Sequence, residues 1–270
     1  MLKRTVVGLS LVPVLLLAVL VFPKLLTTLI AGAFCAIAAY ELLGCTKLVR
    51  NPRMLLYTMV AAFCVSLWSY FGCPTAFGVF GTALFYVLLF VEIMLSNMKI
   101  PFSRLAMCMV GGLLIPYMFN SLIRIFMMEQ GRAYILIPFV VAFLNDIGAY
   151  FVGSFLGKRK LCPTISPNKT VEGLYGGLAA SVIGLLLYCL ILQLGFGFKV
   201  QYFFVLLYGL VGGLAGVFGD LSFSVIKRQT GIKDYGNIFP GHGGILDRFD
   251  SVIMVAPLIE ALLRWLPVVS

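Results

Sequence analysis

Nine apolar runs, each close to the length that crosses a hydrocarbon layer, decide what this chain can become. They lie at about 5–22, 25–44, 54–71, 76–96, 105–126, 133–156, 172–195, 202–220 and 251–266. A helix of roughly 20 apolar residues spans the ~30 Å core of a bilayer. Inside that core only helices and closed barrels satisfy every backbone polar group, and uninterrupted runs of this length belong to helices. The chain is 61% hydrophobic and 11% charged, where a soluble domain carries roughly 25% charged residues. The expected fold class is all-α, a polytopic transmembrane helix bundle of about nine spans. The 270 residues leave no room for a large soluble domain. Lys3 and Arg4 precede the first run, as in a signal peptide. No small-residue cleavage site follows, and Phe22-Pro23-Lys24 leads straight into the next run, so it reads as a retained helix.

Lys and Arg set the expected orientation. With the N-terminus in the cytoplasm, 15 of the 20 fall in inside segments. The outside segments hold only Lys24, Arg124, Arg132, Lys199 and Arg264. This bias predicts an integral protein of the cell (inner) membrane with a cytoplasmic N-terminus and an external C-terminus. The net charge of +10 then reflects cytoplasmic loops beside anionic headgroups, not nucleic acid. The seven cysteines are scattered without a Cys-x-x-Cys pair, which predicts neither a disulfide framework nor a zinc site.

The polar residues divide the chain unevenly. Residues 1–130 read as scaffold spans, where Glu41 and Glu92 sit near span ends as headgroup-level charges. Residues 131–270 read as the catalytic spans, with two polar loops, 157–171 and 221–250, on the cytoplasmic face. Three helical faces there invite close packing. Gly209, Gly212, Gly213 and Gly216 lead to Asp220 on one face, Gly173, Gly176 and Gly177 form a second, and Asp146, Ala149, Tyr150, Gly153 and Gly157 a third. Asp146 is different in kind, because a carboxylate near or within a span is costly and by default functional.

The second loop concentrates what the rest of the chain lacks. It holds Ser224, Lys227, Arg228, Lys233, Asp234, the sole histidine His242, Gly243, Gly244, Asp247, Arg248 and Asp250. Cations, carboxylates and glycines together suit a metal-bound polyphosphate. Gly241-His242-Gly243-Gly244 would expose backbone N–H groups just before a helix, a phosphate-cradle arrangement. His242 reads either as a turn residue or as a hydrogen-bond and proton-transfer group for phosphate. Asp220 ends one helix and Asp247 starts another. If the loop folds back, the two carboxylates converge, and hard cations take one or two carboxylates plus phosphate oxygens. The first loop offers Lys158, Arg159 and Lys160 as headgroup anchors. Beyond them Ser166 and Lys169 stand in a proline turn, with Thr170 as a plausible N-cap.

These residues resemble the phosphatidate cytidylyltransferase, or CDP-diacylglycerol synthase, family. Its signature matches Ser224, Lys227, Arg228, Lys233, Asp234, Gly236, Pro240, His242, Gly243, Gly244, Asp247, Arg248 and Asp250. A second match runs from Asp146 to Tyr150 and on through Gly153, Gly157, Lys158, Ser166, Pro167, Lys169, Thr170, Glu172 and Gly173. The resemblance covers roughly residues 140–255. It implies that CTP and phosphatidate react to give CDP-diacylglycerol and pyrophosphate. It further implies a required Mg²⁺ held by Asp220 and Asp247, with K⁺ as a candidate second cation, and a homodimer among membrane lipids. Catalytic roles would fall to Asp220, Asp247, Lys227, Arg248 and His242. Substrate phosphates would be bound by Asp146, Ser166, Lys169, Ser224, Arg228, Lys233, Asp234, Gly243, Gly244 and Asp250.

Two alternatives stand beside this reading. A CTP-dependent polyprenol or phytol kinase would transfer the γ-phosphoryl group to a lipid alcohol, which needs a base where phosphatidate does not. A transporter would use Asp146 and Asp220 as coupling sites, but its internal repeats and midplane polar groups are missing.

Overall fold

The computed structural model describes residues 19–238 and 243–268. Most of the expected first span, with Lys3 and Arg4, lies outside the described residues, and so do Pro240, Gly241 and His242. Among the described residues, seven helical segments are long and apolar enough to cross a membrane: Lys24–Cys45, Pro52–Phe71, Thr75–Leu95, Phe102–Phe126, Gly131–Leu156, Val171–Phe196 and Tyr202–Gln229. They coincide with the second to eighth expected runs. The expected ninth run is a helix, Leu246–Trp265, but it is not one of the seven; Asp247, Arg248, Asp250, Glu260 and Arg264 charge it at both ends. The chain is a polytopic all-α membrane bundle with one small β-hairpin. It divides into two compact units: Met1–Met127 with Gln229–Phe249, and Met128–Arg228 with Asp250–Ser270.

In the first unit, α1 (Lys24–Tyr40) runs into a π turn, Glu41–Cys45. Then come α2 (Pro52–Phe71) and α3 (Thr75–Leu95). The Asn51 side chain accepts the N–H groups of Arg53 at 2.9 Å and Met54 at 3.4 Å. With Pro52 at the first helical position, this fixes where α2 starts. Gly72, at φ +57°, ends it. The next span is broken: α4 (Phe102–Met109), a π turn (Val110–Leu114), α5 (Ile115–Phe119) and α6 (Ser121–Phe126). Pro116, which lacks an N–H for the ladder, follows that π turn. A Cβ on Gly112 would lie 3.0 Å from both the Phe85 ring and the Thr58 methyl, so this residue lets three helices close together. By contrast α3 leaves Phe77, Val79, Phe80, Met94 and Leu95 exposed, as a lipid-facing surface would.

The two acids expected at headgroup level are both buried instead. Glu92 is 6% exposed and takes Tyr57 Oη at 3.3 Å, Asn51 Nδ2 at 3.4 Å and Arg53 at 3.7 Å. Glu41 is 1% exposed. Hydropathy alone could not separate a span end at the surface from one covered by other segments.

The second unit contains α7 (Gly131–Tyr134) and α8 (Leu136–Leu156), then β1 (Lys160–Cys162), β2 (Ser166–Thr170), α9 (Val171–Phe196), α10 (Tyr202–Gln229) and, from Asp250 on, α11 (Leu246–Trp265). The glycine faces pack as their spacing predicts. A Cβ on Gly148 would strike Ala180 and lie 2.7 Å from the Gly176 carbonyl. One on Gly209 would lie 2.7 Å from the Val182 backbone, and one on Gly219 2.7 Å from the Asp250 carbonyl. So α8 and α9 share a seam, α9 lies along α10, and α10 meets α11. Ser181 donates to the Gly209 carbonyl at 2.9 Å and Asn145 to that of Gly213 at 3.3 Å, fixing the rotation of these helices.

Both expected polar loops are more ordered than a loop. The first folds into an antiparallel hairpin that pairs Lys160 with Thr170 and Cys162 with Ser166. Thr170 then caps α9, accepting the Gly173 N–H at 3.1 Å, as expected. The second is shorter than 221–250. Residues 221–229 contain no glycine or proline, so α10 continues to Gln229, and the first breaker is Gly231 at φ +72°. Ser224, Lys227 and Arg228 are therefore helical residues.

Candidate active site

The second unit brings together the polar residues of α8, the hairpin, α10 and the start of α11. Asp146, Ala149, Tyr150, Gly153 and Ser154 from α8 line one side of a cavity of about 450 Å³. Leu161, Asn168, Lys169 and Thr170 from the hairpin, Gly173 and Leu174 from α9, and Val217 and Asp220 from α10 complete it. Asp220 continues the Gly209–Gly216 face by one more turn, as its spacing predicts. The Lys169 ammonium forms an ion pair with Asp220 Oδ2, and both side chains are about a quarter exposed, at 23% and 26%. Ser224, one turn on, donates to Asp220 Oδ1 at 3.3 Å.

A second carboxylate group stands beside the first. Ser251 Oγ donates to Asp146 Oδ2 at 3.3 Å, and the Ser251 N–H donates to Asp250 Oδ1 at 2.8 Å. Asp250 feels the charges of Asp220, Lys227 and Asp146. It lies in the second turn of α11, outside the seven membrane-crossing segments. Burial first, and the Asp220 charge next, push its carboxyl up to about 7, with Lys227 pulling the other way. Lys227 itself is 9% exposed. Arg228 points to the hairpin, donating through Nε to the Ile165 carbonyl at 3.2 Å. Lys158, Arg159 and Lys160 are exposed. The N–H groups of Lys158 and Arg159 donate to the Glu172 carboxylate at 3.0 and 3.1 Å, which ties the hairpin's first strand to α9.

All but one of the remaining predicted residues belong to the first unit. Asp247 is 8% exposed, and its Oδ2 accepts the N–H groups of Tyr235 at 2.8 Å and Gly244 at 3.0 Å. Gly243, at φ +80°, makes the turn that puts the Gly244 amide there. The next two amides, Ile245 and Leu246, donate to Glu41 at 3.0 and 2.9 Å. Of the amides expected to cradle phosphate, that of Gly244 is thus taken by the Asp247 carboxylate. Lys233, Asp234 and Arg248 are exposed. Ser166 begins β2 in the second unit, while His242 lies outside the described residues. No role was assigned from the sequence to Ser251, Asn168 or Glu41. Ser251 falls on one helical face with Asp247 and Asp250 by its spacing, a lone carboxylate inside an apolar run was the signal for Glu41, and Asn168 carries none.

In the second unit the available donors are all hard oxygens: the carboxylates of Asp146, Asp220 and Asp250 and the hydroxyls of Ser224 and Ser251. Among the described residues, no three or more His, Cys, Asp or Glu side chains group tightly enough to hold a metal unaided. That donor chemistry fits Mg²⁺, which uses one or two carboxylates and fills its shell from water and phosphate. It does not fit zinc.

Comparison with known proteins agrees with this chemistry. A family model described as "Cytidylyltransferase family" matches residues 2–266. The chain is 37% identical over 267 residues to a phosphatidate cytidylyltransferase of Bacillus subtilis (strain 168), covering 97% of each. It is also similar to enzymes of the same name from Staphylococcus saprophyticus, at 39% over 185 residues and 67% of each chain, and Staphylococcus aureus (strain COL), at 43% over 171 residues and 63% of each. A family match along nearly the whole length, over a cavity of carboxylates and cations, means that the chain belongs to the cytidylyltransferase family.

Proposed function

We propose that the chain transfers the cytidylyl group of CTP to phosphatidate, giving CDP-diacylglycerol and pyrophosphate. The observation that carries this is the 37% identity over 97% of the chain to a phosphatidate cytidylyltransferase. A phosphatidate oxygen attacks the α-phosphorus of CTP; the new P–O bond forms as the bond to the β-phosphate bridging oxygen breaks, and pyrophosphate leaves. The lipid phosphate is already an anion, so no general base is needed. What the protein must overcome is the repulsion of two polyanions, by positioning and charge neutralisation. Lys169 is neutralised here by Asp220, while Lys227 is buried within reach of the Asp250 charge, and each can take a phosphate oxygen when one arrives. Arg228, Lys233, Arg248 and His242 are assigned to the remaining phosphate charge. The cavity pairs Asp146, Asp220 and Lys169 with Leu161, Leu174 and Val217, a mixture that suits a headgroup on an apolar stem.

We assign Asp220 and Asp247 to a divalent cation, Mg²⁺, with K⁺ as a second cation. When bound it supplies charge for the leaving pyrophosphate. Incubating the purified protein in detergent with labelled CTP, phosphatidate and Mg²⁺ should yield a lipid-soluble cytidine product. Label transferred only from the γ-phosphate, and only to a lipid alcohol, would establish the kinase reading instead.

The same proposal places the N-terminus and the site on the cytoplasmic side, with two copies of the chain per enzyme. A cysteine at the exposed Asn237, in a variant cleared of native cysteines, should resist impermeant thiol reagents in intact cells. Labelling before lysis would reverse the orientation. Native mass measurement in detergent tests the dimer.

A further inference from the structure

Glu41 has a place in the first unit that its position in an apolar run does not explain. It opens the π turn Glu41–Cys45 at the end of α1, and inserted turns of this kind are frequent at functional sites. Its carboxylate reaches across the unit to the start of α11. Oε1 accepts the Ile245 N–H at 3.0 Å and Oε2 the Leu246 N–H at 2.9 Å. A helix leaves its first N–H groups without intrahelical partners, and a carboxylate there is favoured by the helix dipole. The neighbouring amide, Gly244, goes to Asp247. Glu41 and Asp247 therefore divide the entry of α11 between them, close enough to feel each other's charge.

Two glycines of the signature are cut to fit this carboxylate. A Cβ on Gly236 would lie 2.5 Å from Glu41 Oε1, and one on Gly244 would overlap the same carboxylate. Gly236 adopts no positive φ, so space and not backbone conformation asks for glycine there. Two loop residues and the first turn of α11 thus close around one side chain contributed by α1.

We propose that Glu41 is a positioning residue for the reaction: by clamping the first turn of α11 it fixes where Asp247 stands. This rests on the reading of Asp247 as a cation ligand. Misplacing a reacting group by about 1 Å can cost on the order of 100-fold in rate. A glutamine at position 41 has the same shape but one acceptor and one donor, so an amide of the pair faces an N–H group instead of an oxygen.

The test uses Glu41→Gln in the full chain in detergent, with Gly236→Ala, which crowds the same carboxylate from the other side. Both should lower kcat by about 10- to 100-fold, raise the Mg²⁺ concentration for half-maximal activity, and leave the KM for phosphatidate within twofold. Hydrogen exchange without substrates or metal should quicken at Gly244–Leu246 and stay unchanged in α9. Adding Glu41→Gln to Asp247→Asn should cost little beyond Asp247→Asn alone. Wild-type kcat and Mg²⁺ response in Glu41→Gln, or losses that multiply in the double variant, would overturn the proposal. So would exchange that quickens throughout the chain, or failure of both variants to fold, because Glu41 would then be a stability residue only. If Asp247→Asn keeps full activity, the reading of Asp247 itself fails, whatever Glu41 does.

Discussion

The two units hold their carboxylates mainly in different ways. In the first, Asp247 and Glu41 are fixed by backbone amides, two N–H groups each. In the second, Asp220 faces a lysine and a serine, Asp146 a serine, and Asp250 two other acids, Lys227 and a single backbone amide, that of Ser251. Backbone amides belong to the fold and have nowhere else to go. A lysine ammonium swings on a flexible stem and can leave a carboxylate for a phosphate oxygen. The first arrangement holds a carboxylate in place; the second leaves a lysine able to exchange its partner.

The strongest break of this comparison is to neutralise one acid of each kind. Asp247→Asn and Asp220→Asn should each lower turnover by about 1000-fold or more, as expected when charge stabilisation of the transition state is lost. They should differ in stability. Asp247→Asn disturbs two buried N–H groups and should cost about 1–3 kcal/mol in unfolding, while Asp220→Asn, in a partly exposed pair, should leave the thermal midpoint nearly unchanged. Equal midpoints for the two variants would erase the distinction between fixed and exchangeable acids.

Lys169 sharpens the second half of the comparison. Lys169→Gln should lose about 2–4 kcal/mol of transition-state stabilisation, roughly 30- to 1000-fold in kcat/KM. Replacing Lys158, Arg159 and Lys160 together by Gln should weaken membrane interaction by about 1 kcal/mol per residue and change turnover little. If the triple variant loses more activity than Lys169→Gln, the exposed triplet and not the cavity lysine handles substrate.

Packing and capping give the smaller effects. Gly177→Ala would set a Cβ 2.6 Å from Asn145 Oδ1, and overpacking of this kind costs about 1–3 kcal/mol. Thermal unfolding in detergent should show it, and a wild-type midpoint would mean that α8 and α9 can part without penalty. Asn51→Ala removes the cap of α2 in the scaffold and should cost about 1 kcal/mol with kcat unchanged. A fall in kcat there would tie the scaffold spans to the chemistry more broadly than Glu41 does.

The sequence carried the spans, the glycine faces and the capping threonine, because each depends on periodicity within one segment. Asp220 was legible as the continuation of a glycine face, and Asp146 as a carboxylate near a span. The hairpin was not, since Ser166-Pro167-Asn168-Lys169-Thr170 reads as a turn and its pairing partner lies across the loop. Nor was the length of α10, where charged residues 227 and 228 suggested a loop although nothing there breaks a helix. Glu41 was misplaced for a deeper reason: its partners follow more than 200 residues later, and no local pattern announces a carboxylate that serves another helix.

The seam between α8 and α9 makes one surface of two helices. With Gly148 against Ala180 and Gly176, and Gly184 against Leu144, these two helices leave no slot as wide as an acyl chain. They form a single rigid wall. The cavity's other border is the hairpin Lys160–Thr170, tied to α9 by Glu172 and to α10 by Arg228. Such polar ties can part and re-form far more readily than a glycine seam. The cavity is thus bordered on one side by helices in backbone contact and on the other by a hairpin held through single polar ties.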